Sequence, residues 1–518
     1  MRRFPKAVAT ALTFAATLIG AGCTNTEIVY RDRQPFNTAP DLASGLLGYY
    51  SVNAKQTTCG NCHAGHQRDW ATSHHSNAFA DLVGSGHMAP ACQGCHTVSE
   101  KGNGLPNPAG WSVKQDSAYY DVQCESCHGP GTEHVKLTED RTKWPLARLT
   151  LTIANKSCAA CHTGTHNPFD QEWAASGHGS IVSAAANNTT SDCRNCHEGK
   201  TILKAWGVNT NYVERDSTVL SATTCAVCHN PHGSENSAQL RFPINTPNPD
   251  QNLCMKCHYR RGAPTPTSVS PHGVQGFVVL GTGGYWPVGA NVDTLIALTT
   301  HASVANPRLC AGCHVNRYDV VDAASGGITF QSTGHLFRPV PCLDAQGKPT
   351  ATNTCAYSPP ARSFKSCVSA QCHATEAVAA GRLAGAKADI AFLADQIWVD
   401  TDHDQSIDAA PVDAGYLAII KRDRPNELST TNNLMTPAKG AQFNVSTFGE
   451  DRNGHGDKSH GVHNPFLARA LLAANITELR AAYGLPAPPA TVQALVTKAI
   501  EDARLRQPNF FRTRGAMK

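Results

Sequence analysis

Apolar residues at helical spacing are clearest near the C-terminus. In "PATVQALVTKAIEDARLRQP", Val492, Leu495, Val496, Ala499, Ile500 and Ala503 fall on one helical face. Just upstream, "NPFLARALLAANITELRAAYG" opens on Asn464 and Pro465, a cap and first-turn pair, and Gly484 can end it. The spacing therefore predicts two helices in the last segment. At the other end, Arg2, Arg3 and Lys6 precede an apolar run that closes on small residues and Cys23. That pattern predicts an export signal over residues 1–22. No later segment has the eighteen or so uninterrupted apolar residues that a membrane-spanning helix needs.

Between the two ends, regular patterning is scarce. Only 41% of the 518 residues are hydrophobic, while 42 are glycine and 31 proline. Segments rich in Gly, Pro, Asn and Ser interrupt any alternation. The predicted fold is mainly α with extensive irregular loops: short helices, little β structure and a helical C-terminal region. The thin supply of Leu, Ile, Val and Phe implies that something other than side chains fills the interior.

Twenty-one cysteines in an exported chain would ordinarily suggest a disulfide framework. Their arrangement argues otherwise. Eight Cys-x-x-Cys pairs occur, each followed at once by histidine: Cys59, Cys62 and His63; Cys92, Cys95 and His96; Cys124, Cys127 and His128; Cys158, Cys161 and His162; Cys193, Cys196 and His197; Cys225, Cys228 and His229; Cys254, Cys257 and His258; Cys310, Cys313 and His314. In a ninth, "CVSAQCH", four residues separate Cys367 from Cys372, and His373 follows. With 24 histidines in the chain, nine chance adjacencies have a probability on the order of 10⁻¹².

Two cysteines at this spacing can form thioethers to both vinyl groups of one haem, and the next residue then places an imidazole on the iron. Neither a tetrahedral zinc site nor a dithiol redox site has any reason to demand a histidine after each second cysteine. Nine covalent haems c are therefore expected. Cys342 and Cys355, which flank a polar loop, are candidates for a disulfide, the alternative being two free thiols.

The motif histidines leave fifteen others, more than nine irons require. His232 lies only three residues after His229 and cannot reach the far face of the same ring, so it should ligate a neighbouring iron. The same logic applies to His134, six residues after His128. Motifs at 59, 92 and 124 reappear at 158, 193 and 225, offset by 99, 101 and 101 residues. Within these repeats "DWATSHH" aligns with "EWAASGH", and "QSTGH" is a third echo, making His75, His178 and His335 candidate distal ligands. Trp70 and Trp173 are expected to pack on a porphyrin face. His272, His301 and His463 are further candidates, and His87 competes with His66, His74 and His166. His403, His455 and His460 sit in polar stretches and are expected to face solvent.

"CESCHGPGTEH" and "CAVCHNPHGS" are the most specific phrases of residues 55–260, which resemble the doubled Cys-x-x-Cys-His class of multihaem c-type cytochromes. The resemblance implies close haems with bis-histidine irons in bacterial periplasmic or outer-surface electron carriers, many of them lipoproteins. "LIGAGC" is similar to a lipobox, which makes Cys23 a candidate for lipidation although Gly20 stands where leucine is usual; ordinary signal cleavage and a retained anchor are the alternatives. "GVHNP" is similar to a phrase of multihaem nitrite reductases, where its histidine is a distal ligand. Those enzymes characteristically carry lysine in a catalytic motif, and no Cys-x-x-Cys-Lys occurs here.

The expected organisation is a signal peptide (1–22), a tether (23–50), a three-haem repeat (51–153), a second repeat with a seventh haem (154–265), a two-haem region (266–375) and a haem-free helical region (376–518). The formal charge of +4 does not imply nucleic-acid binding, because haem propionates turn the balance negative. Asp400, Asp402, Asp404 and Asp408 alternate like the start of a calcium loop, but the turn glycine at the sixth place is missing and Pro411 stands at the twelfth. A solvated acidic turn is expected there, with calcium the alternative. The leading expectation is an exported, lipid-anchored electron carrier, periplasmic or at the outer membrane, that meets redox partner proteins. The alternatives are an oxidoreductase acting on a small nitrogen or sulfur oxyanion at one five-coordinate haem, and a self-associating filament subunit.

Overall fold

Residues 39–50, expected to belong to a tether, are instead built into the fold. Leu46, Leu47 and Tyr49 are buried, and buried Asp41 receives the Gly110 backbone N–H at 2.9 Å. Four scattered contacts of this kind carry no period, so the pattern along the chain did not reveal them. A computed structural model describes residues 36–145, 156–181, 191–208, 219–287, 300–302, 305–368, 372–449 and 455–516. The signal segment and Cys23 lie outside these residues. Chain contacts separate Met1–Thr38 from Ala39–Lys518, and everything below concerns the second unit.

The unit is mainly α with two small antiparallel pairs: β1 (Tyr49–Ser51) with β2 (Gln56–Thr57), and β3 (Tyr318–Val321) with β4 (Ile328–Ser332). Two short helices, α1 (Ala64–Trp70) and α2 (Phe169–Ala174), occupy equivalent places in the sequence repeat. Their equivalence extends to hydrogen bonds. Trp70 Nε1 donates to the Val122 carbonyl at 2.9 Å, and Trp173 Nε1 to that of Thr223 at 2.8 Å, each two residues before a motif cysteine. The Val122 and Thr223 N–H groups donate in turn to the carbonyls of His75 and His178, both at 3.1 Å.

The longer helices come late: α3 (Glu376–Ile397), α4 (Tyr416–Asp423), α5 (Pro437–Phe448), α6 (Pro465–Tyr483) and α7 (Ala490–Ala516). Asn464 caps α6 by accepting the Leu467 N–H at 3.0 Å, and Gly484 ends it at φ +70°, where glycine is unstrained. Val492, Val496, Ala499 and Ala503 of α7 are buried. With Ile390, Leu393 and Ile397 of α3 and Leu467, Leu471 and Leu472 of α6, most of these residues make the largest apolar core. Elsewhere the apolar clusters are small, as around Leu46, Val98 and Tyr119. No helix among the described residues is long and apolar enough to cross a membrane.

Candidate haem centres

Most motifs sit on or beside a single helical turn, such as Cys124–His128, Cys310–His314 and Ser191–His197. Residues i, i+3 and i+4 share one face of such a turn, so two thiols and an imidazole point the same way. The backbone N–H of His63, His162, His229 and His258 donates to the carbonyl of the first motif cysteine at 2.8 to 3.0 Å. His373 makes the same bond to Cys367 at 3.1 Å despite its longer spacing.

Hydrogen bonds at Nδ1 decide which ring nitrogen is left for a metal. Backbone carbonyls hold Nδ1 of His96 (Ala78, 2.8 Å), His128 (Pro145, 3.0 Å), His229 (Ala238, 2.7 Å), His301 (Val462, 2.7 Å) and His314 (Phe337, 2.9 Å). Nδ1 therefore donates and Nε2 keeps its lone pair. Burial pushes the imidazoles of His75, His178, His232, His314 and His335 down to about 4, which keeps them neutral, the form that binds metal.

Seven motif histidines face a second histidine across a constant gap. Ring centres are 6.4 Å apart for His63 and His134, 6.2 Å for His128 and His232, 6.2 Å for His162 and His75, and 6.2 Å for His197 and His272. They are 6.3 Å apart for His229 and His335, 6.2 Å for His258 and His178, and 6.0 Å for His314 and His463. Two imidazoles bound to one metal from opposite sides, with metal–nitrogen bonds of about 2 Å, bring their ring centres to about 6 Å. The repeat is visible here too, since His75 faces the fourth motif as His178 faces the seventh. His301 lies close enough to His373 for the two charges to oppose each other. His74, His87 and His166 line a cavity with His96, which belongs to none of the seven pairs.

The motifs touch in an order different from that of the chain. Thiols meet between Cys59 and Cys124, Cys158 and Cys225, and Cys254 and Cys310. They also meet between Cys95 and Cys161, and between Cys196 and Cys257. Cys127 neighbours Cys158, Cys228 neighbours Cys254, and Cys313 neighbours Cys367. A continuous cavity of about 3150 Å³ is lined by residues of every motif but the first. Protein interiors are close-packed, and space of this size bordered by paired thiols and facing imidazoles suits flat, covalently held macrocycles.

Family models match in two places: cytochrome c554 and c-prime over residues 58–129, and the doubled CXXCH motif over residues 218–263. The chain is a multihaem c-type cytochrome. It is 30% identical over 204 residues to the multiheme cytochrome MtrA of Shewanella baltica (strain OS185), covering 36% of this chain and 57% of that one. It is 25% identical over 297 residues to the C-type polyheme cytochrome OmcB of Geobacter sulfurreducens (strain DL-1 / KN400), covering 51% and 36%. The cytochrome thus spans little more than half the length of the first relative and about a third of the second. The solved outer cell wall cytochrome OcwA aligns over 75% of both chains with a TM-score of 0.41 and 18% identity.

Several expectations change once the residues around the motifs are seen. His455 is exposed, as expected, but its ring stacks on that of His272 with centres 4.6 Å apart, and His66 lies 4.3 Å from His232. His460 is half-buried beside Tyr357, whereas His403 is exposed. Trp70 and Trp173 are buried and bond the backbone; only Trp173 borders the large cavity. Cys342 and Cys355 form a disulfide. Asp457 had no sequence signal: it is buried and sits 2.6 Å from Nδ1 of His463. Burial opposes charge on His463, but this carboxylate outweighs it and holds the imidazole above its ordinary value.

Proposed function

We propose that this cytochrome carries nine covalent haems c, each iron held between two imidazoles, and serves as an electron relay in periplasmic or outer-membrane respiration. The seven imidazole pairs at 6.0 to 6.4 Å carry this reading. In these pairs His134, His232, His75, His272, His335, His178 and His463 are the distal ligands. His301 serves the His373 iron and His87 the His96 iron. Haem, when bound, supplies reversible one-electron chemistry; the chain sets its potential through ligands, burial and hydrogen bonds.

The thiol contacts support a path through motifs one, three, four, six, seven, eight and nine. Motif two branches from four, and motif five from seven. The sequence repeat supports the same layout, since each branch joins the first motif of the following unit. Export, lipidation at Cys23 and encounter with redox proteins complete the proposal. MtrA and OmcB are, by their names, cytochromes of several haems, which supports the relay without naming a partner.

Haem stoichiometry with paramagnetic resonance tests this reading. Nine haems per chain, all low-spin, are expected; a count below nine, or several high-spin irons, overturns it. A single high-spin iron favours a second reading, in which a small nitrogen or sulfur oxyanion reacts at one open coordination position. His96 and His373 both stand outside the seven pairs, but His301 lies near His373, which leaves the His96 motif as the candidate. Binding of cyanide or nitrite by one iron, abolished in a His96→Met variant, separates the two.

A further inference from the structure

The loop between α3 and α4 is exposed at Asp402 and Asp404, as expected of a solvated acidic turn, but Asp400 and Asp413 are buried. It is closed by a backbone bridge in which Val399 donates to Ala414 at 3.0 Å and Ala414 to Val399 at 3.3 Å. Inside it, one oxygen each of Asp400, Asp402 and Asp413 lie within 4.8 Å of one another, and the same holds for Asp402, Asp404 and Asp408. Asp402 belongs to both groups. Among the described residues no salt bridge to lysine or arginine relieves this crowding of negative charge.

Asp400 supplies the second observation. Only 7% of it is exposed; Oδ2 accepts the Gln405 N–H at 3.0 Å, while Oδ1 is fully buried and has no hydrogen-bond partner. A buried carboxylate oxygen left unpaired is costly unless a cation meets it. The two objections from sequence also fall. Gln405, at the place of the missing turn glycine, takes that conformation itself at φ +65°. Asp413, two residues beyond Pro411, brings a carboxylate to the ligand set. Trp398 Nε1 and the Thr401 and Asp408 N–H groups hold it in position at 2.8 to 2.9 Å.

We infer that this loop is a divalent-cation site, with calcium as the ion, built from Asp400, Asp402, Asp404, Asp408 and Asp413. The donors are all oxygen, which disfavours zinc and copper. Oxygens sharing an ion through bonds of 2.3 to 2.6 Å lie at most about 5 Å apart, as these do, and calcium tolerates such an irregular shell whereas magnesium demands an octahedron. The bound ion ties the end of α3, which carries Leu393 and Ile397, to the start of α4, which carries Leu417 and Ile420, and so pins one side of the largest apolar core.

Calorimetric titration of the haem-loaded cytochrome, stripped with EGTA and then given calcium chloride, tests the inference. One calcium per chain and a higher unfolding midpoint are expected. Asp402→Asn and Asp404→Asn, both at exposed positions, should weaken binding at least tenfold while the haem spectrum stays unchanged. These variants separate the loop from haem propionates as a source of bound calcium. The inference is overturned if calcium neither binds nor moves the midpoint, if either variant binds as the parent does, or if magnesium competes equally.

Discussion

The Asp457 carboxylate and the His463 imidazole meet at 2.6 Å, whereas the Nδ1 atoms of His96, His128, His229, His301 and His314 are held by backbone carbonyls. An anionic partner makes an imidazole a stronger donor and favours the oxidised state of the metal it ligates. On the proposed ligation, the iron held by His314 and His463 is therefore expected to have a depressed potential. Asp457→Asn should raise one haem potential by tens of millivolts, where about 59 mV corresponds to a tenfold change in one-electron preference. Spectroelectrochemical titration checks this; unmoved potentials would refute it.

His128 and His232 face each other at 6.2 Å from segments more than a hundred residues apart. Replacing His232 with glycine should turn one iron high-spin, seen by paramagnetic resonance, and added imidazole should restore it. If every iron stays low-spin, His66, whose ring is 4.3 Å from that of His232, is the ligand instead.

Trp70→Phe and Trp173→Phe each remove one indole N–H from a backbone carbonyl while keeping an aromatic ring. Each should cost about 1 kcal/mol, the usual net value of such a bond. Because the two geometries match at 2.9 and 2.8 Å, the losses should agree within a few tenths of that value. Denaturant unfolding of the two variants measures both.

Glu125, inside the third motif, is buried and accepts the N–H groups of Leu47, Gly48 and Gly131. Desolvation raises its carboxyl to about 7 despite these bonds. A carboxyl raised on folding stabilises most below its unfolded value, and that contribution fades as pH climbs through the folded one. The unfolding midpoint should therefore decline from about pH 5 to pH 8, and Glu125→Gln should flatten the decline. A parent midpoint that rises over this window contradicts the assignment.

What could be read in advance depended on whether a residue announces itself by local spacing. The nine attachment motifs and the limits of α6 did, because a Cys-x-x-Cys-His turn and an Asn-Pro start are set by neighbours in the chain. The repeat also tied His75 to His178 before any coordinate was known. His455 and His66 were not legible, since each meets a ring from a distant segment, and neither was Asp457, whose partner His463 is six residues on but follows no local spacing rule. Asp413 was missed for a related reason: it enters the acidic loop two positions later than the usual spacing, and only the closed backbone reveals it.

The cavity bordered by eight motifs has a consequence for how the molecule is made. Outside the C-terminal helices, the described residues form only small apolar clusters to collapse around. An unloaded chain would therefore lack most of its interior, and cysteines that end up between neighbouring motifs would be beyond the reach of any attachment machinery once the fold had closed. Cofactor insertion must precede or accompany collapse, while the chain is still extended. Biogenesis, more than the finished molecule, sets the requirement that each attachment signal be short, contiguous and recognisable in an unfolded polypeptide.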